Sequence, residues 1–187
     1  MLKFIHGADF HLDSAFAALP PRQAAARRRE SRELPQRLAN YVNQNGIELV
    51  LLAGDLFDSA SAYRDTAESL SAALGQMAAQ VYIAPGNHDW YGPGSPYLTV
   101  QWPDNVHIFT QPHLEAMAWP EKRLVLHGAA FTASEQSAGF LSGFAAPKDG
   151  NLHIGLLHGE IDPAEARYDP IWKKEIAASG LTYLALG

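Results

Sequence analysis

The chain has 187 residues, of which 47% are hydrophobic and none is cysteine, and its formal net charge is −6. This length supports one domain with a packed core, while the lack of cysteine excludes disulfides and thiolate metal ligands. No run approaches the roughly 18 apolar residues of a membrane span, and the first residues do not resemble a secretory signal. We therefore expect a cytoplasmic protein without a membrane partner.

The first half of the chain alternates between strand and helix patterns, which predicts parallel βαβ units and an α/β fold. The predicted strands are apolar runs at residues 2–8, 47–54 and 81–85. One helical pattern fills residues 22–46 and another fills residues 61–80. The near-continuous apolar run of the second strand is typical of a strand that is covered on both faces.

Proline, glycine and apolar residues predict further details of these elements. Pro35 lies inside the first helical pattern, so a kink or two separate helices are expected there. The segment Tyr91–Pro103 is rich in glycine and proline, which predicts an irregular surface loop. The second helical pattern has one apolar stripe that we expect to face the core, formed by Tyr63, Ala67, Leu70, Leu74 and Met77.

The second half of the chain is richer in strand patterns. Strands are predicted at 105–109, 122–131 and 152–159, followed by a helix at 170–180 and a last strand at 181–187. The sequence has neither internal repeats nor an interdomain linker. We therefore expect one domain that covers residues 1–187.

Four of the predicted strands end in polar side chains. Because ligands of open α/β sheets bind at the carboxyl ends of parallel strands, we expect these side chains to meet in space. Carboxylate, imidazole and amide groups together suit manganese, iron or zinc better than copper(I) or calcium. The residues are Asp9 and His11 after the first strand, Asp55 and Asp58 after the second, Asn87, His88 and Asp89 after the third, and His158 after a later one.

The spacing of these residues predicts parts of their geometry. In an extended segment, Asp9 and His11 point their side chains to the same face. Asp55 is able to bridge two cations about 3.5–4 Å apart, and such a pair clamps a phosphoryl group. Gly54 and Gly86 allow the backbone to turn sharply just before the ligands.

The run Asn87-His88-Asp89 predicts three different roles. Asn87 offers its carbonyl oxygen to a metal. His88 then lies beside the substrate and donates a proton to the leaving oxygen. Asp89 orients an imidazole or the loop, as carboxylates next to metal sites do.

The motifs D-F-H, G-D-L-F-D, G-N-H-D and L-L-H-G occur in the order and spacing of the calcineurin-like metallophosphoesterases, which the chain resembles over nearly its whole length. The resemblance implies an α/β metallophosphoesterase sandwich of two mixed β-sheets flanked by helices. It also implies a pair of divalent metal ions, with manganese expected and iron or zinc as alternatives. Asp9 and His11 would hold one ion, Asn87 and His158 would hold the other, and Asp55 would bridge both.

A finer resemblance points to one branch of this family. The stretches FIHGADFHLDSAF and AGDLFD are similar to those of the SbcD-type DNA repair exonucleases. This implies phosphodiester hydrolysis of DNA, by exonuclease or endonuclease action, with His88 as the catalytic acid. Asp58 occupies a position where some nucleases of this group place a second active-site histidine. The branch also implies DNA, an SbcC-type ATPase and a homodimer as partners.

The sequence departs from the family pattern at its last residues. The family places Gly-His-x-His after its final strand, whereas this sequence ends at Gly187. We therefore expect a domain that is incomplete at its C-terminus, with one metal ligand lacking for each ion. Such a fragment would be impaired, whereas its longer parent would be active.

Two other functions remain open at this stage. One is a phosphoesterase for a small substrate or a phosphoprotein, with a narrow pocket and little dependence on salt. The other is a catalytically silent scaffold that retains the fold. The intact set of polar residues at the strand ends argues against a scaffold.

Basic residues and the other histidines complete the set of candidates. Residues 22–37 carry an excess of four positive charges. This is either a solvated helix face or a phosphate-binding surface formed by Arg27, Arg28 and Arg29. Five histidines are expected to be structural or on the surface, and of these His127 is of interest because it precedes a glycine at a strand end: His6, His107, His113, His127 and His153.

Overall fold

Two four-stranded sheets form the centre of the computed structural model, which describes residues 2–187. The strands are, in chain order, β1 (Phe4–Gly7), β2 (Leu49–Ala53), β3 (Gln80–Ala84), β4 (Val106–Ile108), β5 (Glu115–Trp119), β6 (Leu124–Gly128), β7 (Leu152–Leu157), β8 (Glu160–Ile161), β9 (Pro170–Ile171) and β10 (Tyr183–Leu186). The first sheet has the order β1-β2-β3-β4 and the second has the order β10-β7-β6-β5.

The two sheets differ in strand direction. All neighbours in the first sheet are parallel. In the second sheet β5 runs antiparallel to β6, while β6, β7 and β10 are parallel. The short strands β8 and β9 form a separate parallel pair. The predicted α/β sandwich of two sheets is confirmed, with the difference that only the second sheet is mixed.

Helices cover the outer faces of this sandwich. They are α1 (Pro21–Asn45), α2 (Arg64–Gly75), α3 (Pro96–Thr99), a 3₁₀ turn (Pro120–Lys122) and α4 (Lys173–Ala178). Helices α1 and α2 contribute apolar side chains to one core with the first sheet. Apolar residues near α4 pack in a separate cluster with the end of β7.

The strand β2 shows why the core has two layers. Its five residues are fully buried. Val50 and Leu52 pack with the helix residues Val42 and Leu70. Leu49, Leu51 and Ala53 pack with the second sheet. Successive side chains of a strand point to opposite faces, so this apolar run contributes to both core layers. The prediction of a strand that is covered on both faces is confirmed.

Proline does not divide the first helix as the sequence suggested. α1 is one helix of 25 residues that contains Pro35 and ends at Gly46, whose φ of 60° is left-handed. A proline removes one hydrogen bond of the helix. Pro35 is buried on the inner face of α1, so packing supports the helix where that bond is lost. The prediction of two separate helices is wrong.

Other differences arise where tertiary contacts override local patterns. Tyr63 is 67% exposed because it precedes α2 instead of joining the buried stripe. The segment Tyr91–Pro103, predicted as irregular surface, contains α3 and the buried residues Pro96 and Tyr97. The predicted helix at residues 170–180 begins at Lys173, since Pro170–Ile171 form β9. The sequence reading missed β5 altogether.

Candidate metal centre

The loops after β1, β2, β3 and β7 converge at one edge of the sandwich and bring the predicted polar residues together. Two groups of side chains have ligand atoms within 4.8 Å of one another: Asp9, Asp55 and His158 form one group, and His11, Asp55 and His88 form the other. Ligand atoms around one transition-metal ion are separated by up to about 4.4 Å, since each lies about 2.0–2.2 Å from the ion. Separations of up to 4.8 Å slightly exceed this limit, so each group is a candidate cation site whose side chains would move closer together around an ion.

Asp55 belongs to both groups. Its Oδ2 atom lies 3.4 Å from His158 Nε2 and 3.9 Å from His11 Nε2. Its Oδ1 atom accepts a hydrogen bond of 2.9 Å from the His88 N–H. One buried carboxylate thus lies between two imidazoles, which is the arrangement that a bridging ligand requires.

His158 is oriented by hydrogen bonds at both of its ring nitrogens. Nδ1 lies 3.0 Å from the Ala53 carbonyl oxygen and Nε2 lies 2.9 Å from Asn87 Oδ1. The carbonyl keeps a proton on Nδ1, so Nε2 is the nitrogen that a metal would engage, together with the Asn87 oxygen. His158 and Asn87 therefore lie on the same side of Asp55, and their pairing around one ion stays a prediction.

His158 and Asp55 shift each other's proton affinity. Burial favours a lower pKa for His158, but the neighbouring Asp55 carboxylate outweighs this effect and raises it. Burial favours a higher pKa for Asp55, but hydrogen bonding and charge attraction from His158 lower it. Both shifts favour the charged forms of the two groups in the absence of a metal, and a cation would compete with the proton on Nε2.

The backbone of the ligand loops is not extended. Asp9, His11 and Asp55 have φ values of 56°, 42° and 52°, all in the left-handed region. The prediction of an extended Asp9-x-His11 segment is wrong. The reason is tertiary, because the Asp9 N–H donates to Gly54 O at 3.1 Å and the His11 N–H donates to Asp55 O at 3.0 Å. Such conformations cost about 1–3 kcal/mol each and are concentrated at functional sites.

Two glycines allow these loops to approach each other, for different reasons. Gly54 has a φ of 80°, and a Cβ atom there would lie 2.6 Å from the His158 side chain. A Cβ atom on Gly86 would lie 2.2 Å from Asp55 Oδ1. Gly54 thus provides the predicted sharp turn, whereas Gly86 is needed because the Asp55 carboxylate lies against its backbone.

Asp58 lies between the half-buried His11 and the exposed His88. Its Oδ1 atom is 3.2 Å from His11 Nδ1, although this buried nitrogen has no hydrogen-bond partner. Its carbonyl oxygen lies 3.2 Å from His88 Nδ1. The rings of His11 and His88 meet edge to face at 5.0 Å. Asp58 therefore contacts His11 and His88, which belong to one of the two candidate ligand groups, and its role stays a prediction.

Asp89 orients a loop rather than an imidazole. Its carboxylate is fully buried and accepts hydrogen bonds from the Gly86 and Leu56 N–H groups, at 2.8 and 2.7 Å. A third donor is the hydroxyl of Tyr97, at 2.6 Å. Burial raises the pKa of Asp89. The sequence reading missed Tyr97, because its segment has no pattern that distinguishes a buried hydroxyl from a loop residue.

The basic surface on α1 is separate from this cluster. Arg27 forms an ion pair with Glu30 at 2.8 Å, and Arg28 donates to the Ala15 carbonyl at 2.8 Å. Arg29 is exposed, and none of the ion pairs among residues 2–187 involves it. The predicted nucleic-acid contact of this surface stays a prediction.

His127 does not join the centre. Its Nε2 atom lies 2.9 Å from His153 Nδ1, and His153 Nε2 lies 3.0 Å from Asp149 Oδ1. Burial lowers the pKa of His127. His127 lies in β6 and His153 lies in β7, so their contact joins the two strands. Such a paired, hydrogen-bonded histidine is what we expect of a structural residue.

A cleft of about 340 Å³ is lined by the candidate residues Asp9, Asn87, His88 and His158. Besides predicted ligands, the cleft is lined by residues that the sequence did not suggest, namely Gly159, Glu160, Tyr168 and Gly187. Glu160 lies in β8 and Tyr168 lies just before β9. The pair of short strands therefore forms one wall of the cleft.

Comparison with known proteins agrees with this geometry. The sequence profile of the calcineurin-like phosphoesterases matches residues 2–180. The chain belongs to the calcineurin-like phosphoesterase family. The predicted family is thereby confirmed, and metal-dependent phosphoester hydrolysis is the chemistry that this membership supports. None of the helices within residues 2–187 is both long and apolar enough to cross a membrane.

One relative of this chain has a name that adds no detail about function beyond the family. This phosphoesterase chain is 32% identical over 203 residues to "Uncharacterized metallophosphoesterase YhaO" of Bacillus subtilis (strain 168). The match covers 100% of this chain and 48% of that protein, so the chain spans about half the length of the relative. The name of the relative specifies neither a nuclease nor the SbcD-type branch.

The residues present fit the metals that the family implies. Two carboxylates, an amide oxygen and imidazoles converge, and Asp55 is common to both ligand groups. These are nitrogen and oxygen donors of the kind that bind manganese, iron and zinc. The number of ions and the metal remain part of the proposal below.

Replacing Asp55 with alanine should abolish cation binding at both ligand groups, because both lose their shared carboxylate. Isothermal titration with Mn²⁺ measures the stoichiometry. The exposed Asp104 provides a matched control, and Asp104→Ala should bind manganese as the wild type does. Retention of one tightly bound ion by Asp55→Ala would contradict the bridging assignment.

Asp169, which lies behind His158, should make the stability of the metal-free chain depend on pH. Burial raises its pKa to about 7, and its Oδ2 atom has no hydrogen-bond partner. The unfolded chain loses this proton near pH 3.9. The folded state therefore binds more protons between about pH 4 and pH 7, and the free energy of unfolding falls as the pH rises through that window.

Asp169→Asn should remove this contribution and stabilise the chain at pH 8 by about 2–4 kcal/mol. Urea unfolding at pH 5 and pH 8, both with a chelator, measures the difference. The oxygen of asparagine still accepts the Phe140 N–H, which donates to Asp169 Oδ1 at 2.6 Å. An equal fall in stability between pH 5 and pH 8 in both proteins would contradict the assignment.

Proposed function

We propose that this calcineurin-like phosphoesterase hydrolyses phosphodiesters with two divalent ions, manganese being the expected metal. The observation that supports this is the position of Asp55, whose carboxylate is common to two groups of candidate ligands, each with at least one member that lines one cleft. Two bound cations would neutralise phosphoryl oxygens and lower the pKa of a water molecule. The protein residues hold these ions, orient the diester and donate a proton to the leaving oxygen.

His88 is proposed as the acid for the leaving oxygen. It is exposed and lines the cleft. Its Nδ1 atom faces the Asp58 carbonyl at 3.2 Å, and a carbonyl oxygen accepts hydrogen bonds but has no hydrogen to donate. Nδ1 therefore keeps its proton, and Nε2 is the atom that donates to the leaving oxygen.

DNA is the substrate that we propose. The resemblance of the first two motifs to SbcD-type exonucleases favours DNA ends. The exposed arginines of α1 favour a long polyanion over a small ester. Arg32, which pairs with Asp13 at 3.2 Å, connects α1 to the loop that follows His11. An SbcC-type ATPase and a second copy of the chain are the proposed partners, on the same resemblance.

A small-substrate phosphoesterase is the alternative that the cleft favours. Its volume of about 340 Å³ suits a nucleotide. A silent scaffold is disfavoured, since it would not need buried Asp55 and His158 to face each other at 3.4 Å. The two catalytic alternatives differ in how turnover responds to salt.

His88→Asn should bind manganese as the wild type does but lower kcat by about 10²–10⁴-fold, the range for loss of a general acid. The hydrolysis of bis(p-nitrophenyl) phosphate and the Mn²⁺ stoichiometry are the two measurements. His113→Asn changes an exposed histidine away from the cleft and serves as the control. Loss of one ion in His88→Asn would make His88 a ligand, in line with its position beside His11 and Asp55.

Arg29→Gln should raise KM for linear DNA and leave hydrolysis of the small diester unchanged, because one phosphate contact is lost. The slope of log KM against log salt should decrease by about one unit in size. Lys148→Gln is the control for Arg29→Gln, because it removes the same charge from an exposed residue elsewhere. If DNA turnover shows no salt dependence in any of the three proteins, the small-substrate alternative replaces the nuclease.

A further inference from the structure

A buried hydrogen-bond cluster lies directly behind the metal ligands. It consists of the Asp89 carboxylate, which is 0% exposed, and Tyr97, which is 5% exposed. The Tyr97 hydroxyl donates to Asp89 Oδ2 at 2.6 Å. This distance is at the short end of the range for a hydroxyl–oxygen hydrogen bond.

Asp89 connects two loops that carry metal ligands. Its Oδ1 atom accepts the Asp55 N–H at 3.2 Å, and its Oδ2 atom accepts the Phe57 N–H at 3.2 Å. These bonds add to those from Gly86 and Leu56. One carboxylate thus fixes the loop after β2 relative to the loop after β3.

All lone-pair positions of this carboxylate are in use. Four backbone N–H groups and one hydroxyl share about four favourable acceptor positions. Oδ2 carries three of these donors, one of which is Tyr97. Removal of the hydroxyl takes away the shortest of the five bonds and leaves Oδ2 with the Leu56 and Phe57 N–H groups, so the carboxylate is held from the backbone side alone.

Tyr97 is itself held in place. Its ring meets Phe57 edge to face at 6.0 Å and lies 5.8 Å from the ring of Trp102. Tyr97 lies in α3, a helix of four residues that begins directly after the buried Ser95. The direction of the hydroxyl is therefore set by packing on both sides of the ring.

We propose that Tyr97 is a positioning residue of the metal centre. Through Asp89 it holds the left-handed backbone of Asp55 at a fixed distance from Asn87 and His88, which allows two cations to share the Asp55 carboxylate. This inference rests on the proposed two-ion centre. Tyr97 does not touch the ligands, so its effect is on their geometry.

Tyr97→Phe tests the proposal, because it keeps the ring and removes the hydroxyl. Mn²⁺ binding should weaken by about tenfold or more, the usual cost of losing a partner behind a metal ligand. The electron paramagnetic resonance signal of a spin-coupled manganese pair should be replaced by that of isolated ions. Restoring the metal to saturation should recover part of kcat on the small diester.

Tyr82→Phe is the matched control. Tyr82 is 9% exposed and lies in β3, and its hydroxyl makes no hydrogen bond within residues 2–187. This variant should bind a coupled manganese pair as the wild type does. If Tyr97→Phe fails to fold with a chelator present, Asp89→Asn takes its place and should show the same loss of spin coupling.

The outcomes separate this inference from the proposed function. Wild-type affinity and a coupled pair in Tyr97→Phe would overturn the positioning role and leave the metal centre intact. An equal loss of manganese affinity and spin coupling in Tyr82→Phe would also overturn the positioning role. Loss of any buried tyrosine hydroxyl would then loosen the fold in general. A wild-type chain that binds no coupled pair would overturn the two-ion centre and this inference together.

Discussion

The hydrogen bonds of the buried Asp89 carboxylate are the constraint on which the geometry of the centre depends. They hold the backbone N–H groups of Gly86, Leu56 and Phe57, so the loops after two neighbouring parallel strands cannot move apart. Parallel strands bring their carboxyl ends to one edge, but they leave the loops free to diverge. A single internal anion with several donors converts that shared edge into a site with fixed distances.

This arrangement places negative charge where the chain has little to neutralise it. Asp9, Asp55 and Asp58 lie within a short distance of one another, and Asp89 is buried behind them. His158 offsets part of this charge by pairing with Asp55. The concentration of carboxylates at this edge would attract divalent cations.

The second sheet contributes differently from the first. It adds one candidate metal ligand, His158, which directly follows β7. The short strands β8 and β9 come after it in the chain and form a wall of the cleft. A Cβ atom on Gly54 would collide with His158, which shows how closely the two sheets approach at this edge. The depth of the cleft is therefore set by the packing of the sandwich.

The sequence by itself determined the fold class and the chemistry of the centre, because apolar runs, turn residues and polar strand ends are local features. It identified the residues that meet at Asp55, and it placed Asp58 beside them. Only the tertiary structure decided the left-handed backbone of Asp9 and His11, the continuity of α1 through Pro35 and the role of Tyr97. These depend on hydrogen bonds and packing between segments far apart in the chain, and such contacts leave no periodic pattern in a single sequence.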